Sequence, residues 1–135
     1  MSYSIQEIEG IGPANAKKLA KAGIKTTKGL LDKCASRKGR EATEDATGVS
    51  ASQLLKWANM ADLMRVKGVG EEYSELLEAA GVDTVKELRN RRADNLAAKM
   101  AEVNADKKLV RQVPSESQVT KWVEQAKGMD PMITH

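Results

Sequence analysis

The sequence predicts an all-α protein made of two tandem copies of one short helical unit, joined by a connector helix. Three observations carry that prediction. The chain repeats itself: Ile8-Glu-Gly-Ile-Gly12 matches Val66-Lys-Gly-Val-Gly70, and Leu19, Ala22-Gly23-Ile24, Thr26 and Leu30 meet Leu77, Ala80-Gly81-Val82, Thr84 and Leu88 at the same offset of 58. A second block, Ser50-Ala-Ser-Gln53-Leu-Leu-Lys-Trp57, matches Ser115-Glu-Ser-Gln118-Val-Thr-Lys-Trp122 at an offset of 65, which leaves seven extra residues between Arg89 and Pro114. Apolar residues recur at helical spacing between glycines and capping residues throughout.

Each copy reads in the same order. A turn with two glycines one residue apart opens a helix, over 13–22 in the first copy and 71–80 in the second. Pro13 suits a first helical position, where its missing N–H costs nothing. Gly23 and Gly81 close these helices as left-handed caps. Thr26 or Thr27, and then Thr84, cap a second helix; Thr84 with Glu87 reads as a capping box, whereas Gly29 stands in the glutamate's place in the first copy. The second helix of the first copy is therefore expected to be the weaker of the two.

Ser50 with Gln53, and Ser115 with Gln118, read as further capping boxes, each opening an amphipathic helix that carries its tryptophan. The first of these, about 51–64, leads straight into the second glycine turn and connects the copies. The insertion supplies one more helix, with Leu96, Met100 and Val103 at helical spacing, and Pro114 breaks the chain before the last helix. The organisation that follows is a basic first repeat with its connector over 1–65, a second repeat with an acidic first helix and an extra helix over 66–128, and a frayed, flexible tail over 129–135. At 135 residues a single core and one compact unit are expected.

Composition narrows the function classes. The chain is 41% hydrophobic and 30% charged, which fits a folded chain, and with no Phe its core is left to Leu, Val, Ile, Ala and Met. No apolar run approaches the roughly 18 to 20 residues that cross a bilayer, and the first ten residues lack a signal-peptide pattern, so a cytoplasmic location without membrane contact is expected. Cys34 stands alone and the single histidine is His135, so neither a disulfide nor a Cys/His zinc site is expected. Cys34 reads as a small buried apolar residue, with no internal histidine to activate it. Residues 1–65 carry 11 Lys/Arg against 7 Asp/Glu, or +4, while 66–135 carry 11 against 12, or −1. The halves are expected to face different neighbours.

The run Ile8-Glu-Gly-Ile-Gly-Pro-Ala-Asn-Ala16-Lys-Lys-Leu19 resembles the helix-hairpin-helix motif of nucleic-acid-binding proteins. Its glycines let backbone pass close to a phosphate, while amides at the following helix start point outward at the positive end of the dipole. Such a turn grips a phosphate and reads no base. The resemblance implies phosphate contacts from the main chain of Gly10, Ile11, Gly12 and Ala14 around Pro13, with Lys17, Lys18 and Lys21 nearby. Many DNA-binding members carry Lys or Arg at the second position after the last glycine, where this chain has Ala14. Partial compensation comes from Lys17, Lys18, Lys21, Lys25 and Lys28, with no acid between Pro13 and Lys28.

The second copy departs further, since Glu71 and Glu72 follow Gly70, with Glu75 and Glu78 behind them. Acids in a first turn suit the helix dipole; the same four also mark a candidate protein-interaction face. The basic stretch of Lys33, Arg37, Lys38 and Arg40 reads either as an extension of a phosphate-tracking surface or as a solvated loop. Arg89, Arg91 and Arg92 read as cations at a helix C-terminus, and Trp57 and Trp122 read as core.

From about Ile5 to Lys127 the chain is also similar to the bacterial DUF4332 family. The residues that carry this are the Gly-Ile-Gly-Pro turn, Ala46-Thr-Gly-Val-Ser50, Leu54-Leu-Lys-Trp57, the run Ala61 to Thr84, Glu102-Val-Asn104 and Leu109-Val-Arg111. The likeness implies tandem helix-hairpin-helix units of the SAM/HhH-like kind and no settled activity. A nuclease label attached to some relatives finds no support here: Glu71, Glu75 and Glu78 could line one helix face toward magnesium, but no second group of carboxylates joins them. The sequence thus points to a non-enzymatic module without cofactor, metal or small-molecule substrate. Its first hairpin is expected to bind DNA or another nucleic acid. The alternative is a scaffold that engages another protein or a second copy of itself.

Overall fold

Helix starts fall where short polar side chains can accept an otherwise orphaned amide. Thr26, Ser36, Ser50, Thr84 and Ser115 each accept from the backbone N–H three residues on. In this computed structural model, which describes residues 3–135, a 3-10 turn at Ile5–Glu7 precedes eight helices: α1 (Pro13–Ala20), α2 (Thr27–Cys34), α3 (Arg37–Thr47), α4 (Ala51–Leu63), α5 (Glu71–Ala79), α6 (Val85–Leu88), α7 (Ala93–Lys107) and α8 (Glu116–Lys127). Among the described residues every regular element is helical, and none is long and apolar enough to cross a membrane.

The repeat is more complete than the sequence suggests, because each copy holds four helices. Helix α3 is not foreseen in the sequence, where its basic start reads either as an extension of a phosphate-tracking surface or as a solvated loop. Ser36 caps it, Gly48 ends it in a left-handed turn, and α7 is its counterpart. The seven extra residues therefore add no element; they go into a longer α7 and a longer link to α8. The expected order of strength in the second helices is also reversed, since α2 runs for eight residues and α6 for four. In the second copy the Glu87 carboxylate turns away from Thr84 to pair with Arg91 at 2.8 Å, so that box closes in one direction only. Of the three boxes, Ser115 with Gln118 closes in both, whereas at Ser50 the Glu44 carboxylate reaches the Ala51 amide instead.

Two cores form where one was expected. The first gathers Ile8, Ile11, Leu19, Ile24, Leu30, Leu54, Trp57 and Ala61; the second gathers their repeat partners Val66, Val69, Leu77, Val82, Leu88, Val119, Trp122 and Ala126. The division runs through the end of α4, with Leu63 in the second core and Met64 in the first. Successive helical residues point about 100° apart, so one helix can serve both.

Polar bonds tie the halves together. Asp62, at 1% exposure, accepts from the Val85 amide at 2.8 Å and from Arg65 at 2.6 Å, so α4 caps the start of α6. Arg65 also donates to the Asp130 carbonyl at 3.0 Å. The segment 129–135, expected to fray, is fastened to the first repeat. Ile133 enters its core, Thr134 donates to the Ala35 carbonyl at 2.8 Å, and the Arg40 guanidinium holds the carbonyls of Cys34, Ala35 and Thr134.

Two glycines in adjacent helices give opposite expectations. A Cβ on Gly39 would run into the Lys33 carbonyl oxygen in the last turn of α2, whereas one on Gly29 would meet nothing nearer than Thr26 Oγ1 at an ordinary 3.4 Å. Gly39→Ala should therefore destabilise the chain by about 1 to 3 kcal/mol. Gly29→Ala, within a helix, should stabilise it by roughly 0.5 to 1 kcal/mol. Urea unfolding of both variants checks this; shifts of the same sign would contradict the α2–α3 packing described.

Candidate nucleic-acid interface

The two glycines of each hairpin do different work. Gly10 and Gly68 lie in the left-handed region at φ 92° and 94°, and each presents a bare Cα to an indole edge from its own repeat. A Cβ at Gly10 would stand 3.4 Å from Trp57 Nε1, and one at Gly68 would stand 3.1 Å from Trp122 Nε1. The tryptophans thus pin their hairpins from inside, and both are buried. Gly12 and Gly70 are extended N-caps with nothing within 4 Å of an added Cβ. Neither strain nor crowding calls for glycine there; its effect is to leave a helix start uncovered.

At α1 that start is open. Pro13 has no N–H, no side chain caps the helix, and the amides of Ala14 and Asn15 have no partner within the helix. Gly10, Gly12, Pro13 and Ala14 are exposed. Ile11 does not join them, because its amide donates to the Ile8 carbonyl at 3.1 Å and its side chain is in the core. The expected contact set therefore loses Ile11 and gains Asn15, whose side chain reaches back toward the Gly10 carbonyl at 3.4 Å.

The lysines do not act as one patch. Lys17, Lys18, Lys21 and Lys25 are exposed and make no ion pair among the described residues, while Lys28 pairs with Asp32 at 3.7 Å. Lys17 and Lys25 share a shallow groove with Pro13 and Ala20, and Lys21 stands one turn beyond Lys17. Lys18 turns the other way, into a cleft between the repeats that Glu9, Gly10 and Asn15 also line. The basic stretch behind α2 divides as well: Lys33, Arg37 and Lys38 are exposed, but Arg40 is the buried clamp already described.

The second hairpin copies the backbone and reverses the charge. Ser74 donates to the Gly70 carbonyl as Ala16 does to Gly12, yet Glu71 and Glu72 fill the first turn of α5. Glu72 is exposed; Glu71, Glu75 and Glu78 are half-buried, and Glu75 and Glu78 line the cleft toward the first repeat. Burial, then a hydrogen bond with Glu9 and repulsion from Glu9, Glu75 and Glu72, pushes the Glu71 carboxyl above its ordinary value. Burial and the charges of Glu9 and Glu78 raise Glu75, with Lys56 opposing. Glu9 is the site residue that sequence reasoning missed, since only folding brings it against α5.

Other candidates resolve plainly. Burial pushes the Cys34 thiol up and outweighs the opposing contact of its Sγ with Thr43 Oγ1 at 3.6 Å, so the thiolate is disfavoured. Arg91 pairs with Glu87 and donates to the Gly81 carbonyl at 2.9 Å. Among the described residues no group of His, Cys, Asp and Glu is arranged to hold a metal ion.

A family described as "Domain of unknown function (DUF4332)" matches residues 9–129, and the chain belongs to it. No curated protein and no solved structure matches the chain.

The raised Glu71 carboxyl has a thermodynamic consequence. A group whose folded pKa lies above its unfolded one contributes stability at low pH and loses it as pH rises through the folded value. Relative to the parent chain, Glu71→Gln should therefore gain stability progressively as pH rises from the ordinary carboxylate range toward neutrality. Thermal melts across that range test it, and a difference independent of pH would refute the crowding of Glu9 and Glu71.

Proposed function

We propose that this DUF4332-family chain is a non-catalytic module that binds nucleic acid, DNA foremost, without reading its sequence, through the first hairpin. The observation that carries the reading is the open start of α1: uncapped amides at exposed Ala14 and half-buried Asn15, behind a glycine that the fold itself does not need. Exposed amides at a positive helix end suit a backbone phosphate. Lys17 and Lys25 share a groove with Pro13, and Lys21 follows one turn beyond Lys17 at the far end of α1; among the described residues none of the three pairs with an acid, and they would meet neighbouring phosphates. The second hairpin, with the same backbone and two acids in its first turn, would take no part. Its role is structural. A scaffold reading draws on Glu71, Glu72, Glu75 and Glu78, but it is the weaker one, because Glu72 alone of the four is exposed and the others are half-buried.

With a few phosphates neutralised, binding should be weak to moderate and should fall with salt at a log–log slope of about −0.9 per phosphate. Gly12→Asp separates anion binding from folding. An aspartate there fits without clash and can cap the free amides, so stability should hold or rise by a few tenths of a kcal/mol, as is typical at an N-cap. Duplex affinity should drop by about tenfold or more, because the new carboxylate occupies and repels the phosphate position. Lys17→Glu with Lys21→Glu should weaken binding and flatten the salt slope, whereas Lys99→Glu, on α7, should not. Fluorescence anisotropy with a labelled duplex at two salt concentrations reads all of these. Equal binding by Gly12→Asp and the parent chain removes the proposal.

A further inference from the structure

We infer that the cleft between the two repeats is a binding site for a small zwitterion of dipeptide size, with an ammonium, a carboxylate and an apolar body. The cleft has a volume of about 660 Å³, within the range of small-molecule sites. Its walls come from both repeats: the first hairpin, α1 and α4 on one side, α5 and the end of α7 on the other.

Charges of both signs converge on it. Lys18, Lys56 and Lys107 line it together with Glu9, Glu75 and Glu78, yet no ammonium among them comes within 4 Å of a carboxylate. Elsewhere on this surface some exposed charges of opposite sign pair, as Lys127 with Glu124 at 3.0 Å and Arg92 with Asp94 at 3.0 Å, whereas Lys17, Lys21 and Lys25 do not among the described residues. Three cations and three anions held apart around one hollow are complementary to a ligand that brings both signs. A simple anion would meet the glutamates, and a simple cation the lysines. The rest of the lining fits the same ligand. Trp57 and Met60 underlie an apolar strip with Val49 and Leu109, while Asn15, Ser50 and Gln53 offer neutral polar groups. Behind Gly10 in the cleft wall, the buried Trp57 indole N–H has no acceptor. Crowded carboxylates around Glu75 gain most from an incoming ammonium, and Lys56, close enough to oppose that crowding, is placed for the carboxylate.

The cleft borders the phosphate site at Gly10 and Asn15, so its test uses Lys56 and Glu75, which lie outside the first hairpin. The probes are leucyl-leucine, its N-acetyl form and its C-terminal amide, titrated into the full chain by calorimetry and followed through the indole N–H resonance of Trp57. Leucyl-leucine should bind saturably and move the Trp57 signal with little change at Trp122. Each blocked form should bind about tenfold or more weakly, the loss typical of one charge-assisted contact. Glu75→Gln should weaken leucyl-leucine but barely alter the N-acetyl form, and Lys56→Gln should spare the amide in the same way, with circular dichroism confirming that both variants fold. No saturable binding at millimolar leucyl-leucine, or equal binding of all three probes, overturns the inference.

Discussion

Contact between an indole edge and a bare glycine Cα is the constraint on which the rest of this structure rests. Trp57 fixes Gly10, and Trp122 fixes Gly68, so the last helix of each repeat dictates where its opening hairpin lies. The left-handed backbone at Gly10 and Gly68 follows from the turn, and the missing side chain lets the ring edge in. Either requirement alone would favour glycine; together they leave little room for anything else. With the hairpin anchored from inside, its outer face is free to carry whatever chemistry the adjoining residues supply.

That freedom explains how two copies of one scaffold come to differ so sharply. Backbone geometry at Gly12 and Gly70 is nearly the same, and both leave a helix start uncapped. What differs is the first turn: Pro-Ala-Asn in one copy, Glu-Glu-Tyr in the other. In the first, uncapped amides adjoin exposed Lys17. In the second, Glu71 presses on Glu9, and Glu75 and Glu78 look into the space between the repeats. The acidic face has turned inward, where it shapes a cleft.

Two small cores need fastening, because neither repeat buries much surface alone. The ties are polar and specific. Asp62 caps α6 from α4, Arg65 reaches the chain after α8, and Arg40 gathers three carbonyls from α2 and the C-terminal segment. Each replaces hydration lost on burial with a charge-assisted bond, which is what makes a buried Arg or Asp tolerable. Where the halves meet without such ties, the cleft remains, with its charges unpaired.

The sequence by itself determined the repeat, its helical character, most helix starts and both hairpin turns. These depend on neighbours along the chain: a Ser or Thr three residues from its amide, a proline at a first position, a glycine after a last turn. It also assigned both tryptophans to the core. It did not reveal α3, whose run of Arg, Lys and Glu has little apolar periodicity and is held through Arg40 and Thr43, both buried against partners that a linear reading does not show. Nor could it separate Lys17 from Lys18, bring Glu9 to Glu71, split one core into two or fasten the tail. Those outcomes were decided by tertiary structure, because each depends on residues far apart in the chain meeting across a helix face whose direction only packing sets.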